Sequence, residues 1–310
     1  MSRKHRDRSW PPADAVAPLA RPVVDNHTHL PVPGEVAAGP GSDAPLDATE
    51  LVSRAVAVGV TGMITSACET PAWEPSIALA HELAPVRVAL AIHPNEAVAH
   101  AGVREIGPDG LEPQHLPHHD EPLDEAMGRL EALVRDNRDV VVAVGETGMD
   151  AFRTGPRGAA VQREAFRAHI ALAKELDLPL QIHDRDAHAE CVAVLEADGA
   201  PERTVFHCFS GGAALAQACA EHSWYASVAG PITYPANDAL RAAFCALPDE
   251  LLLVETDAPY LPPKRWRGRP NGSYLMPDTV RFLAQQRGLG EAEAGELLAH
   301  NTRQVYGSWL

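Results

Sequence analysis

The stretch 178-LPLQIHDRDAHAECVAVLEAD-198 decides the fold, because a short apolar run ending on His183 passes directly into a longer run of alanine, leucine and charged residues. Its first part, 178-LPLQIHD-184, reads as a strand and its second, 186–198, as a helix, since short apolar runs suit strands and longer mixed runs suit helices. The same unit recurs on both sides. Strands are expected near 22-PVVDNH, 60-VTGMITSA, 86-VRVALAIH, 140-VVVAVGE, 203-RTVFHCF, 224-WYASVAG and 251-LLLVETD, which with the first makes eight. Helices are expected near 47–58, 73–84, 121–137, 157–177, 212–222 and 236–246, with 277–287 and 291–299 closing the chain. Eight strands, strand first and each followed by a helix, give the arithmetic of an α/β fold of the (β/α)8 TIM-barrel kind, a single domain over 21–310.

Two segments exceed the short connections of such a barrel, 31–48 and 94–123. Both follow strands and so belong on the side where barrels carry their active sites. The second holds His100, His115, His118 and His119, whose setting among prolines and acids reads as that of solvated loop histidines.

Composition narrows the function. A chain of 310 residues with 45% hydrophobic content can bury a sizeable core, and a formal charge of -16 argues against a broad basic surface for nucleic acid. An anionic substrate must then be met locally, by metal or arginine. The five cysteines are scattered, without CxxC pairing, and fit reduced, buried thiols in a cytosolic protein. Residues 1–20 are basic, then rich in proline and alanine, and lack an apolar signal-peptide core; they read as a disordered lead-in. No apolar run is long enough to span a bilayer, so the expectation is a cytoplasmic protein with no membrane partner.

The chemistry-bearing residues fall at strand ends. In 23-VVDNHTHLP-31, His27 and His29 share one face if the strand is extended, which is how a chain offers two nitrogens to one ion. Glu146, His183, His207 and Asp257 lie at or near the carboxyl ends of four further strands, so the six converge on one rim of the barrel. Imidazole nitrogen and carboxylate oxygen suit zinc, manganese or, with more water ligands, magnesium. Six ligands are too many for one tetrahedral ion and suit two, which together can activate a shared water. Arg185, two residues past His183, is either a phosphate clamp or the partner of a nearby acid such as Asp184 or Asp186. His93 ends the third strand as either a proton donor or an imidazole hydrogen-bonded at the rim. The glycines of 207-HCFSGG-212 either expose amides to an anion or only serve the turn.

Taken in order, 25-DNHTHL-30, 91-AIHP-94, 143-AVGETGMD-150, 179-PLQIHDRDA-187, 206-FHCFSGG-212, 228-VAGPITYP-235, 254-VETDAPYLPP-263, 267-RGRPN-271 and 301-NTRQVYG-307 resemble the TatD family of metal-dependent deoxyribonucleases, within the amidohydrolase-like superfamily. The resemblance runs from about Val23 to the end of the chain. It implies that His27, His29 and Asp257 hold one ion, that His183 and His207 hold a second, and that Glu146 bridges them. It also implies hydrolysis of DNA phosphodiester bonds, from the 3′ end of single strands, by a two-metal-activated water. In that scheme Asp257 orients and deprotonates the water, Arg185 neutralises phosphate charge, and Asp150, Glu255, His93 and Asn271 orient ligands or touch substrate. The family usually carries a tyrosine where this chain has Ala151, and the two long segments are unusual for it, which leaves specificity more open than metal binding. A dinuclear amidase, lactonase or phosphoesterase acting on a small molecule is the alternative, since fold does not fix function. A non-catalytic binding protein is disfavoured, because six polar groups gathered in one cavity without metal are costly to leave unpaired.

Overall fold

Parallel strands covered on both faces are apolar over most of their length, and the runs read as strands are so except where polar residues gather, mainly toward their carboxyl ends. The computed structural model describes residues 7–32, 35 and 45–308. Among these, β1 (Val23–Thr28), β2 (Val60–Ala67), β3 (Val86–Leu90), β4 (Val141–Asp150), β5 (Leu180–Arg185), β6 (Thr204–Phe206), β7 (Tyr225–Val228) and β8 (Leu252–Val254) form one sheet in the order β1 to β8. Every neighbouring pair is parallel. The helices are α1 (Ala48–Ala57), α2 (Trp73–Glu82), α3 (Pro94–His100), α4 (Leu123–Asp136), α5 (Pro156–Glu175), α6 (His188–Asp198), α7 (Ala213–His222), α8 (Asp238–Cys245), α9 (Met276–Arg287) and α10 (Glu291–Tyr306). This is the expected (β/α)8 barrel in a single domain.

Alternation sorts the apolar residues into two sets. Met63, Leu90, Val144, Leu180 and Phe206 join the large core between strands and helices, while Ile64, Ala89, Ala143, Val205 and Leu253 form a separate cluster with Val305 and Tyr306 of α10. The second set lines the barrel interior. Between β8 and β1 the sheet is closed by side chains: Asn26 Nδ2 donates to Val254 O at 2.7 Å, and Asp25 accepts from Thr256 N at 2.9 Å and Thr256 Oγ1 at 2.5 Å.

Four expectations change. Residues 7–20 of the supposed lead-in lie against the barrel: Trp10 is buried, Arg269 donates to Ser9 O and Trp10 O, Tyr274 Oη donates to Pro11 O, and Leu19 N donates to Val58 O. One tryptophan and a few donors suffice to order a segment whose composition alone suggests disorder. Segment 94–123 is no plain loop, since it opens with α3 and contains a 3-10 turn at Pro117–Asp120. His100 and His119 in it are buried, not solvated. Segment 31–48 falls largely outside the described residues. Cys191 and Cys219 are buried as expected, whereas Cys68, Cys208 and Cys245 are only partly so. Among the described residues no helix is long and apolar enough to cross a membrane.

On α5, His169 is enclosed by protein, donating from Nδ1 to Ala165 O at 2.7 Å and accepting Ile92 N–H on Nε2 at 3.1 Å. Burial of the neutral ring pushes its pKa down to about 4. The folded-state pKa is depressed, so the stability is fully present above the unfolded value near 6.5 and is lost as pH falls toward 4, where the unfolded chain alone takes up the proton. Between pH 7 and pH 5 this site should cost on the order of 2 kcal/mol of stability. Urea unfolding at the two pH values checks this: His169→Gln should lose less stability than the parent, and a parallel loss in both would remove His169 as the source.

Candidate metal centre

The side chains that the strands send to their carboxyl ends meet around one carboxylate. Glu146 Oε1 lies 2.6 Å from His183 Nδ1, 3.1 Å from His207 Nε2 and 3.4 Å from His93 Nε2. Its Oε2 lies 3.3 Å from His27 Nε2 and 3.9 Å from His29 Nε2. Asp257 Oδ1 completes the group, 3.4 Å from His29 Nε2 and 4.0 Å from His27 Nε2. All six expected ligands are therefore brought together, with His93 as a seventh neighbour.

Local features of the backbone make this meeting possible. The β4–β5 ladder slips between Gly145 and Thr147, so Glu146 joins Ala143 on the inward side, where strict alternation would have placed Gly145 and Thr147. A Cβ on Gly145 would sit 2.4 Å from Gln181 Cβ, and one on Gly148 would sit 2.2 Å from His183 O. These glycines let β4 lie flush against β5 and bring Glu146 to His183. Asp257 lies beyond the end of β8, with φ +52°, and its N donates to His27 O at 3.0 Å. Asn271, expected to orient ligands or touch substrate, is buried and holds this turn by donating to Thr256 O and Tyr260 O.

The imidazoles are held by their far nitrogens. Gln181 Nε2 donates to Asn26 O and to Tyr306 Oη, both at 2.9 Å, which leaves Gln181 Oε1 to accept from His27 Nδ1 at 3.1 Å. His27 thus carries its proton on Nδ1 and turns a bare Nε2 toward the carboxylates, where that buried atom has no hydrogen-bond partner. His29 Nδ1 likewise donates to Ser66 O at 3.1 Å. His207 Nδ1 faces Glu255 Oε1 at 3.2 Å, and that oxygen also accepts Cys208 N–H at 2.7 Å. His183 reaches Asp150 Oδ2 at 3.3 Å through Nε2. Gln181 was not singled out from the sequence, although its place two residues before His183 puts it on the same strand face. Cys68, whose Sγ lies 3.4 Å from Glu146 Oε2, was missed as well.

Charge follows from this packing. Burial alone would raise the Glu146 carboxyl, but His207 and His183 beside it hold it well below the usual range. Burial would lower His183, yet its bonds to Asp150 and Glu146 raise it to about 9. His93 is pushed down by burial and by His183 beside it. Its Nδ1 accepts Asn95 N–H at 3.1 Å, so the neutral ring presents an N–H from Nε2 toward Glu146. Three groupings could hold an ion: His27 with His29 and Asp257, His27 with Glu146 and His207, and His93 with Glu146 and His183.

The centre opens into a cavity of about 1410 Å³ whose wall includes Arg153, Arg185, Tyr260 and several acids. Arg185 does not pair with its neighbouring acids; its guanidinium stacks 4.1 Å over Phe152, while Asp184 accepts from His188. In 207–212 Gly211 serves packing, because a Cβ there would lie 2.5 Å from the Leu215 side chain.

The model of TatD-related DNases matches residues 24–307. The chain belongs to the TatD-related DNase family. It is 39% identical over 295 residues to the uncharacterized metal-dependent hydrolase TatD of Mycobacterium tuberculosis, covering 93% of this chain and 99% of that one. The 3'-5' ssDNA/RNA exonuclease TatD of Pantoea ananatis is 32% identical over 268 residues, covering 84% and 94% of the two chains. The crystal structure of YjjV, a TatD homologue from Escherichia coli K12, superposes with a TM-score of 0.76 at 26% identity, covering 92% of this chain and 98% of the other. As a TatD-family chain, this is a metal-dependent hydrolase.

The flush contact of β4 on β5 has a direct test. Gly145→Ala should cost roughly 1–3 kcal/mol of stability by overpacking against Gln181. Gly128→Ala, on the exposed side of α4 with open space around it, should raise stability by about 0.5–1 kcal/mol. Chemical denaturation midpoints moving the same way in both variants would contradict the close approach.

Proposed function

We propose that this TatD-family hydrolase cleaves phosphodiester bonds of DNA, acting on single strands from the 3′ end, with two divalent ions in the Glu146 centre. The observation that carries the metal assignment is the bare Nε2 of His27: fixed by Gln181, fully buried and without a hydrogen-bond partner, it faces two carboxylates. A lone pair aimed at carboxylate oxygens is unfavourable unless a cation lies between them. The donor set of imidazoles and carboxylates suits zinc, manganese or magnesium. His27, His29 and Asp257 would hold one ion, His183 and His207 the other, and Glu146 would contact both. Such ions supply Lewis acidity, lowering the pKa of water and neutralising phosphate charge.

The chain's own residues then divide the work. Asp257 orients the attacking water and accepts its proton; burial would raise this carboxyl, but the His29 contact holds it ionised. Glu255 and Asp150 fix the rings of His207 and His183 through their second nitrogens. Arg185, pre-set on Phe152, offers its edge N–H groups to a phosphate at the mouth. His93 presents its Nε2–H toward the centre as a donor. The nucleic-acid reading is supported by the names of relatives such as the Pantoea ananatis exonuclease. Five free cysteines fit a reducing cytoplasm as the place of action.

A second reading, hydrolysis of a small ester, lactone or amide, is favoured by the acids of the cavity wall. Glu69, Glu96, Asp109 and Glu112 line it beside Arg153 and Arg185, and the net charge is -16, which limits the footprint available to a polyanion.

An end-labelled single-stranded oligonucleotide, incubated with chelator-stripped protein and manganese or magnesium added back, separates the two. Laddering from the 3′ end, absent in Glu146→Ala, is expected; no cleavage by a chain that still binds metal would move the assignment to a small substrate. Gln181→Leu should weaken metal binding about 10–100-fold by freeing the His27 ring. Unchanged affinity by calorimetry would show that Gln181 does not set the His27 tautomer.

A further inference from the structure

A second group of imidazoles and carboxylates lies outside this centre, in the segment that leaves β3. Glu96, on α3, accepts on Oε2 from His118 Nε2 at 2.9 Å and from His119 Nε2 at 2.8 Å. His100, one turn further along α3, donates from Nδ1 to Glu121 O at 2.8 Å. That bond leaves the lone pair of His100 on Nε2, and this nitrogen is buried with no hydrogen-bond partner in a residue only 6% exposed. The His100 ring packs edge-on against His119, centroids 5.1 Å apart, and His118 lies 4.0 Å from His119. Ligand atoms of Glu96, His100 and His119 all fall within 4.8 Å of one another, as do those of Glu69, Glu96 and His118.

Hydrogen bonding alone explains His118 and His119, which both serve Glu96. It leaves His100 unexplained, because its Nδ1 is fixed as donor by a backbone carbonyl, the arrangement that orients a metal-binding imidazole. A buried nitrogen lone pair beside a carboxylate needs an electrophile. The geometry points to a zinc site: we propose that Glu96, His100 and His119, with His118 as fourth ligand and Glu69 at the edge, bind a zinc ion separate from those of the Glu146 centre. Three imidazole nitrogens and one carboxylate oxygen match a closed structural site for this ion. On binding, His118 and His119 give Nε2 to the ion and keep their single proton on Nδ1. Leu116 N–H, which His119 Nδ1 accepts at 2.9 Å in the metal-free arrangement, must then turn away. Leu116 lies in an irregular stretch, where an amide can rotate without breaking a helix or strand. The ion would tie α3 to the turn at Pro117–Asp120 and so clamp the long segment on the cavity wall that Glu69 and Glu96 help to line.

Zinc content, read by native mass spectrometry after stripping and re-addition of zinc, tests this. His100→Gln and Glu96→Gln should each hold one zinc fewer than the parent chain, and Glu146→Gln should keep the zinc that His100→Gln loses. Equal zinc content in His100→Gln and the parent overturns the proposal. A zinc-edge anomalous map of parent crystals needs no variant: a peak beside His100 Nε2 supports the site, and its absence from zinc-soaked crystals overturns it. The two assignments fail separately, since a peak here with none at Glu146 would remove the catalytic reading alone.

Discussion

Everything at the mouth of this barrel is arranged to keep one ionised carboxylate away from water. Glu146 is 5% exposed, and desolvating a carboxylate is so costly that it persists only where positive charge or donors replace its hydration. His183 from β5, His207 from the end of β6 and His93 from beyond β3 take that role, while His27 and His29 of β1 and its extension turn their Nε2 atoms toward the carboxylates from the other side. Each is aimed by a contact on its other nitrogen: Gln181 for His27, Ser66 O for His29, Asp150 for His183, Glu255 for His207 and Asn95 N–H for His93. The demand on Glu146 thus propagates outward into at least four strands.

The same demand explains irregularities in an otherwise regular sheet. A β4 that kept strict alternation would have turned Glu146 outward into the helical layer, and side chains at 145 and 148 would have pushed β4 off β5. Between β8 and β1 polar side chains do what a ladder would do elsewhere, and the chain past β8 is thereby free to bend and carry Asp257 over His27 and His29. Regular pairing supplies the frame, and its local failures supply the aim.

How far the site was legible follows from this. His183 and His207 could be placed from sequence because each ends an apolar run, and the side of the barrel follows from the fold alone. The helices were legible for the same reason, apart from α3, whose seven residues hid among the prolines and glycines of a long connection. Glu146 could be singled out as the end of an apolar run, and the structure places it among the histidines, but the slip that turns it inward has no simple signature beyond the glycines at 145 and 148. Burial of His100 and His119 was misread because the acids and prolines around them suit a solvated loop; the deciding contacts with Glu96 and Glu121 are tertiary. Trp10 was misread likewise, since its burial depends on Arg269 and Tyr274, about 260 residues away.

Helix α3 is only about 10 Å long. Its N-cap, His93, touches Glu146; Asn95 reaches Asp150; Glu96 and His100 reach the histidines at its other end. A strut of two turns joins the two polar clusters, so an occupant of one end that shifted the pitch of α3 would change the affinity at the other, and by the same factor in both directions. Through such a shift the outer cluster would set a condition on the inner one with no ligand shared between them.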